Sequence, residues 1–287
     1  MSPVFLFLLV FSVLPVFLGL CISLFDYSPL AKSQPYIGFD NFNRLFADGV
    51  FLTALKNTLV FVFVTGVLNI VITLLLAQAV SSMKRAWMRG FTRVVFFLPC
   101  VAPLVASSTV WNVMYNVKHG LINNVLGKLF GMAPHNWLGT ASTLMPALIV
   151  FTLWADIGYN IIILSAGIDG IPADILEAAA IDGASPSQRF FRIILPMLGR
   201  TLGFVVTMTL ISHFQMFAQF IVLNRAAGPV SGGPNNSGMV LSLYVFKTAF
   251  TRSKEMGYGS AIALVLFLII MAVTMIQRRL SRVDWGY

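Results

Sequence analysis

The chain has 287 residues, 58% of them hydrophobic and only 10% charged, with a formal net charge of +9. A soluble domain is typically about 45–50% apolar and about 25% charged, so this composition excludes a chain whose whole surface meets water. The Lys and Arg residues sit between apolar blocks and form no basic face, which argues against nucleic acid as a partner and for loops retained on the cytoplasmic side of a membrane.

Six apolar blocks follow one another: Pro3–Phe25, Ala54–Val80, Val94–Tyr115, Thr143–Ile168, Leu202–Leu223 and Tyr258–Ile276. Each exceeds the roughly 18-residue threshold for a span, and six spans use roughly 120 residues, which leaves loops but no large soluble domain. Period-2 alternation is absent, so the spans are helices rather than barrel strands. The expected fold is an all-α integral membrane protein, a single domain over residues 1–287, with about six transmembrane helices and a cytoplasmic helix-turn-helix loop at 169–200.

The first block has no basic n-region, is too long for a signal h-region and lacks a small-residue cleavage site, so it reads as a retained span. The second and third blocks are joined by a segment carrying Lys84, Arg85, Arg89 and Arg93. Arg189, Arg192 and Arg200 follow the fourth block, and Arg278, Arg279 and Arg282 follow the sixth. With six spans these segments share one side. The opposite loops carry Lys32, Arg44, Lys56, Lys118, Lys128, Arg225, Lys247, Arg252 and Lys254, nearly as many cations in much longer segments. The density of charge therefore places both termini in the cytoplasm. Cys21 and Cys100 lie inside apolar runs without metal or disulfide spacing, and read as small hydrophobes.

The fourth block holds Asp156, an acid near mid-span, which must face protein or water. Tyr159 and Asn160 lie three and four residues on, on the same helical face. The three residues suit either a hydroxyl-rich ligand or an internal clamp between helices.

The connection Asp169–Arg200 is long and patterned. A first helix is expected over about Pro172–Asp182, with Pro at its first position, and Gly183 supplies a left-handed stop. A second begins at Ser185, with Pro186 at N1 and Gln188 at N3 completing a capping box, and ends before Pro196. Ile175, Ala178, Ala179 and Asp182 share a face of the first helix, where small alanines admit a close neighbour and Glu177 adds charge. Such a protrusion is suited to docking.

In the fifth block Gln215 and Gln219 are four residues apart, sharing a face that is a candidate lining for a solute path, whereas His213 reads as a helix–helix hydrogen bonder. Gly232-Gly233-Pro234-Asn235-Asn236 forms a turn cluster within Gly228–Gly238. No phosphate-binding loop occurs: Gly127-Lys128 has Ile122 where the leading glycine belongs. Neither a catalytic cluster nor a set of metal ligands is evident, so no enzyme activity, catalytic residue, metal or cofactor is expected of this chain.

Glu177-Ala178-Ala179, three residues, Gly183, nine residues, then Ile193-x-Leu195-Pro196 is similar to the EAA motif of the permease subunits of binding-protein-dependent ABC importers. Ile171-Pro172 and Asp182-Gly183-Ala184 resemble the carbohydrate branch of that family. Ile37-Gly38-Phe39-Asp40-Asn41-Phe42, Asn57-Thr58, Trp154 with Gly158-Tyr159-Asn160, Phe214-Gln215-Met216-Phe217, Gly232-Gly233-Pro234 and Gly257-Tyr258-Gly259-Ser260-Ala261 resemble its maltose-type first permease. Ala218 departs from a usual polar residue, Arg225–Ser231 resembles an insertion, and the usual basic segment before the first span is missing, which points to a start further upstream.

The resemblance implies an importer permease in a bacterial plasma membrane. Its expected partners are a second permease subunit, an extracytoplasmic sugar-binding protein and two ATPase subunits carrying ATP and Mg. Glu177, Ala178, Ala179, Asp182 and Gly183 would meet the ATPase, with Glu177 facing a basic residue there. Asp156, Tyr159, Asn160, Gln215 and Gln219 would line the sugar path in an alternating-access cycle. An ion-coupled secondary sugar transporter is the alternative, but it calls for an ionisable relay across several spans. A membrane enzyme or signalling scaffold would need a catalytic or output domain that the chain does not show.

Overall fold

The computed structural model describes residues 2–224, 228, 230–251 and 255–280. Arg225, Arg252, Lys254 and Arg282, which entered the charge argument, lie outside the described residues, as does most of the insertion at Arg225–Ser231. Among the described residues helices dominate, and the one extended pairing is an isolated bridge between Phe25 and Tyr36.

Among the described residues four helices are long and apolar enough to cross a membrane: α1 (Pro3–Ile22), α3 (Gly49–Ser81), α7 (Ala141–Asp169) and α13 (Met256–Leu280). Between α1 and α3 lies the short amphipathic α2 (Asp40–Ala47). Asp48 caps α3, its Oδ1 accepting from the amides of Val50 at 2.8 Å and Phe51 at 3.3 Å. At 33 residues α3 is about 50 Å long and outruns a hydrocarbon core of roughly 30 Å.

Two of the six expected spans are not straight. The block Val94–Tyr115 is a pair of helices, α4 (Ala86–Val101) and α5 (Leu104–Met114), bent by 94°. Pro99 and Pro103 explain the bend. Pro103 has no amide to continue the ladder and drives its predecessor Ala102 to ψ 137°, an extended conformation. Arg89 and Arg93, expected in a connection, lie within α4. The block Leu202–Leu223 is likewise interrupted. α10 (Gly199–Gln215) stops, Met216 and Phe217 leave the helix, and α11 (Ala218–Leu223) resumes it. The carbonyl of Met216 freed by this break accepts the Ser242 hydroxyl at 2.6 Å. Ser242 belongs to α12 (Leu241–Phe250), a helix of ten residues that the apolar-block reading passed over, as it did α6 (Leu121–Phe130).

The helices fall into two compact units. The first takes in Met1–Val60, Asn112–Pro146 and Phe214–Met271. Here the Gly-Gly-Pro turn and the start of α3 are joined. Gly233 has φ +75° and sits against Leu144, where a β-carbon would collide. Asn57 donates to the carbonyls of Asn236 at 2.8 Å and Met239 at 3.0 Å, and Thr58 Oγ1 accepts from the Leu241 amide. Nearby, Asp48 Oδ2 accepts from the hydroxyls of Tyr244 at 2.5 Å and Tyr258 at 2.6 Å. In α1 the apolar window has no buried residue at all.

The second unit takes in Phe61–Trp111, Ala147–His213 and Ala272–Tyr287. Its inner cluster is Ala77, Leu164, Ile168, Phe190, Ile194, Leu198 and Val205, with Ile171 and Leu176 packed against it. The long connection between α7 and α10 is mounted on this cluster. It forms α8 (Ala173–Ile181) and α9 (Pro186–Met197), and α9 meets α10 at a 72° bend.

Two details of that connection differ from expectation. Pro172 is the N-cap of α8 rather than its first helical residue. The second helix does not end before Pro196 but runs through it. A wide turn over Phe190–Ile194 shifts the ladder, so that the Leu195 amide donates to Phe190 O, and the missing amide of Pro196 is accommodated without a break.

Candidate translocation cavity and coupling loop

Gly183 has φ +81° and ends α8 as the sequence leads one to expect. Its amide donates to Ala180 O at 3.1 Å, and the Ala184 amide donates to Ala179 O at 2.9 Å. These two bonds are the Schellman arrangement that satisfies the last carbonyls of a helix. Two residues on, the Ser185 amide donates to Gln188 Oε1 at 2.8 Å, and the Gln188 amide donates to Ser185 Oγ at 3.3 Å. The turn between α8 and α9 is thus fixed from both sides.

The consequence is a rigid, largely exposed knob. Leu176 turns inward to the apolar cluster, and Ala179 is half-buried. Glu177, Ala178, Asp182 and Gly183 are exposed, and Ile181 is 87% exposed. The side chains of Glu177 and Asp182 make no hydrogen bond or ion pair with the described residues. The knob thus presents an apolar tip, Ile181, beside two exposed acidic residues.

A cavity of about 430 Å³ opens between α4, α7 and α10, lined among others by Cys100, Asp156, Tyr159, Asn160, Ser212 and His213. Asp156, Tyr159 and Asn160 therefore do come together, but in different roles. Tyr159 is 52% exposed and presents its ring to the cavity. Asn160 is buried and donates to Asn69 Oδ1 at 2.7 Å and Thr209 Oγ1 at 3.0 Å, so it clamps three helices. Asp156 does both jobs. Its Oδ2 lies 3.3 Å from His213 Nε2, while about a third of the side chain stays open. The His213 side chain is almost wholly buried, and its Nδ1 has no partner among the described residues. A ring nitrogen Nε2 that carries a proton can donate to this carboxylate.

Gln215 and Gln219 do not line this cavity. The interruption at Met216–Phe217 places them on separate helices, so the four-residue spacing no longer sets a common face. Gln215 is exposed, and Gln219 is buried with both side-chain amide atoms unpartnered among the described residues. Trp154 packs in an aromatic cluster, 5.3 Å from Trp111 between ring centroids. Gly158 lets the α4 backbone approach, since a β-carbon there would collide with the Phe96 carbonyl.

Sequence reasoning missed Asn69, Ser212 and Thr209 as parts of this site, although Asn69, the one carboxamide between Thr58 and Leu76, was a visible signal. It assigned His213 to helix–helix bonding, and His213 does join α10 to α7. It also missed Asp169. Arg93 Nη2 donates to Asp169 Oδ2 at 2.7 Å, and Arg89 Nη1 lies 3.6 Å from Oδ1.

The model of the family described as "Binding-protein-dependent transport system inner membrane component" matches residues 69–282. The chain is 34% identical over 279 residues to the probable ABC transporter permease protein YurN of Bacillus subtilis, covering 96% of this chain and 92% of that one. It is 34% identical over 273 residues to the multiple sugar-binding transport system permease protein MsmF of Streptococcus mutans, covering 95% and 90%. Its fold is that of a chain in the crystal structure of a bacterial ABC transporter involved in the import of the acidic polysaccharide alginate, with TM-score 0.84, 23% identity, and coverage of 98% of this chain and 92% of that one. A multi-pass helical chain with an exposed helical knob and an interhelical cavity, matched over three quarters of its length, belongs to the inner membrane components of binding-protein-dependent transport systems.

Proposed function

We propose that this chain is a permease subunit of an ATP-driven importer for a sugar or oligosaccharide, working by alternating access. As a transport-system membrane component it is a permease and not an enzyme, and that family membership argues against the ion-coupled alternative. The observation that carries the reading is the exposed α8, with Glu177 and Asp182 unpaired and Gly183 fixing its end. A knob so firmly built and so poorly covered is suited to a cleft in a partner.

In this reading residues 169–200 form the coupling loop of a single transport domain, and Glu177, Ala178, Ala179, Asp182 and Gly183 meet an ATPase subunit. ATP and Mg bind on two such subunits. A second permease subunit completes the pore, and an extracytoplasmic binding protein delivers the solute. Lys84, Arg85, Arg278 and Arg279 favour a cytoplasmic location for the loop and both termini. The apolar surface of α1 is left for lipid or the second permease.

The cavity supports the choice of solute. Tyr159 offers a ring for stacking, Asp156 a carboxylate acceptor, and Ser212 a hydroxyl that can donate and accept. The name of the relative MsmF points to the same class. ATPase activity of the assembled complex, measured with its binding protein over a panel of sugars, tests the reading. Stimulation by one or a few sugars is the expected result. Equal activity with and without every sugar, in a complex that hydrolyses ATP and binds its binding protein, refutes it.

A further inference from the structure

Asp169 is the last residue of α7, one step before the loop that carries α8. A carboxylate at a helix C-terminus faces the negative end of the helix dipole, so local electrostatics disfavour it there. It is held by two cations from another element. Arg93 Nη2 lies 2.7 Å from Oδ2 and Arg89 Nη1 3.6 Å from Oδ1, and the two arginines are four residues apart on α4. The three side chains are only 26–34% exposed, so water does not fully screen them.

The rest of the loop is mounted differently. Ile171 and Leu176 rest on the apolar cluster supplied by α3, α7, α9 and α10. Apolar contact is non-directional and tolerates sliding, whereas a charge-assisted hydrogen bond of 2.7 Å fixes distance and direction. A cavity of about 440 Å³ lies beside the pair, lined by Gln78, Ser82, Arg89, Asp169, Leu176 and Arg189, and leaves the carboxylate room to move. Beyond Arg93, α4 carries Cys100 to the wall of the translocation cavity and then bends at Ala102–Pro103 into α5.

We propose that Asp169, gripped by Arg93 and Arg89, is an ionic strap that carries movement of the coupling loop into α4, so that these three are positioning residues for the opening of the translocation cavity. The proposal rests on the reading of α8 as the ATPase-docking knob. Displacing the knob shifts the end of α7, the carboxylate draws both guanidinium groups with it, and α4 turns the cavity wall on which Cys100 sits.

The test uses the assembled complex with Cys21 replaced by Ser, so that Cys100 is the thiol left in this chain. Its labelling by a membrane-impermeant maleimide is timed with and without ATP and vanadate. The unaltered strap is expected to give a nucleotide-dependent change in rate. Asp169→Asn and Arg93→Gln are each expected to shrink that change at least about fivefold, the low end of ordinary coupling between sites, while ATP hydrolysis continues. The double variant should do no more harm than either single one. Arg93→Lys keeps the charge and loses the fork, and should shrink the change about twofold. It decides the matter should the charge-removing variants fail to assemble. A wild-type labelling change in Asp169→Asn or Arg93→Lys overturns the strap, and so does a Cys100 that never responds to nucleotide. Glu177→Lys separates this failure from that of the underlying reading. If Glu177→Lys leaves ATPase docking intact, the knob is not the coupling element. If it abolishes docking while Asp169→Asn changes nothing, the strap alone is refuted.

Discussion

Gly183 gives the sharpest quantitative handle on the coupling loop. It holds φ +81°, and no heavy atom lies within 4 Å of the place a β-carbon would occupy. Substitution there meets no steric wall, so its cost is backbone strain alone, roughly 1–2 kcal/mol for a residue with a β-carbon and least for Asn, which tolerates the left-handed region. Unwinding the turn to relieve that strain gives up the two bonds to Ala179 and Ala180, at about 1 kcal/mol each. The expected order is therefore Gly183→Asn mildest, Gly183→Ala next and Gly183→Val worst, the last reducing the correctly bent loop by a factor of about 5–30. All three should insert normally, because the residue lies outside the candidate spans. The assay is binding of purified ATPase subunits to membranes carrying each variant, followed by sugar-stimulated hydrolysis. If Val and Asn behave alike, the left-handed turn does not govern docking and the argument fails.

Cysteines introduced at Lys84 and Asn124 should label from opposite sides of intact cells, and labelling from one side would contradict the proposed orientation. Asp156→Leu leaves His213 Nε2 without its acceptor and should impair transport severely, whereas Asp156→Asn keeps an oxygen and should be milder; equal transport by the Leu variant would remove Asp156 from the path. Burial pushes the Asp48 carboxyl up, but the hydroxyls of Tyr244 and Tyr258 and the amides of Val50 and Phe51 outweigh it, so the folded value lies below the usual one near 3.8. That stabilisation is complete above the unfolded value and is lost as pH falls through the folded one. Asp48→Asn should accordingly lower the melting temperature at pH 7, and the gap to wild type should close in acid; a gap that stays constant with pH would exclude the carboxylate as its cause.

The elements most legible in the sequence were those whose cause is local. Gly183 needs a left-handed turn, and Ser185 with Gln188 needs nothing beyond four residues to make its capping box. Apolar length sufficed for α1, α3, α7 and α13. What hydropathy could not show is direction. Val94–Tyr115 averages as one span although Pro99 and Pro103 bend it, and Leu202–Leu223 averages as one helix although it opens at Met216–Phe217. The glutamine pair loses its common face for that reason, since a face defined by four-residue spacing exists only while the helix continues. Asp156, Tyr159 and Asn160 met because α7 is unbroken there, yet which of them turned to the clamp depended on Asn69 and Thr209, distant in sequence. Asp169 was passed over because its partners sit 76 and 80 positions earlier.

The bond between Ser242 and the Met216 carbonyl bears on how the chain is made. The carbonyl is emitted by the ribosome 26 residues before the hydroxyl that satisfies it. During that interval the opened stretch at Met216–Phe217 has no partner for its free oxygen, and hydrocarbon offers none. The fifth hydrophobic segment is therefore a poor passenger for the translocon on its own. Its release into lipid should be favoured once α12 has been made and can satisfy that oxygen, and a chain truncated before Ser242 should linger at the insertion machinery.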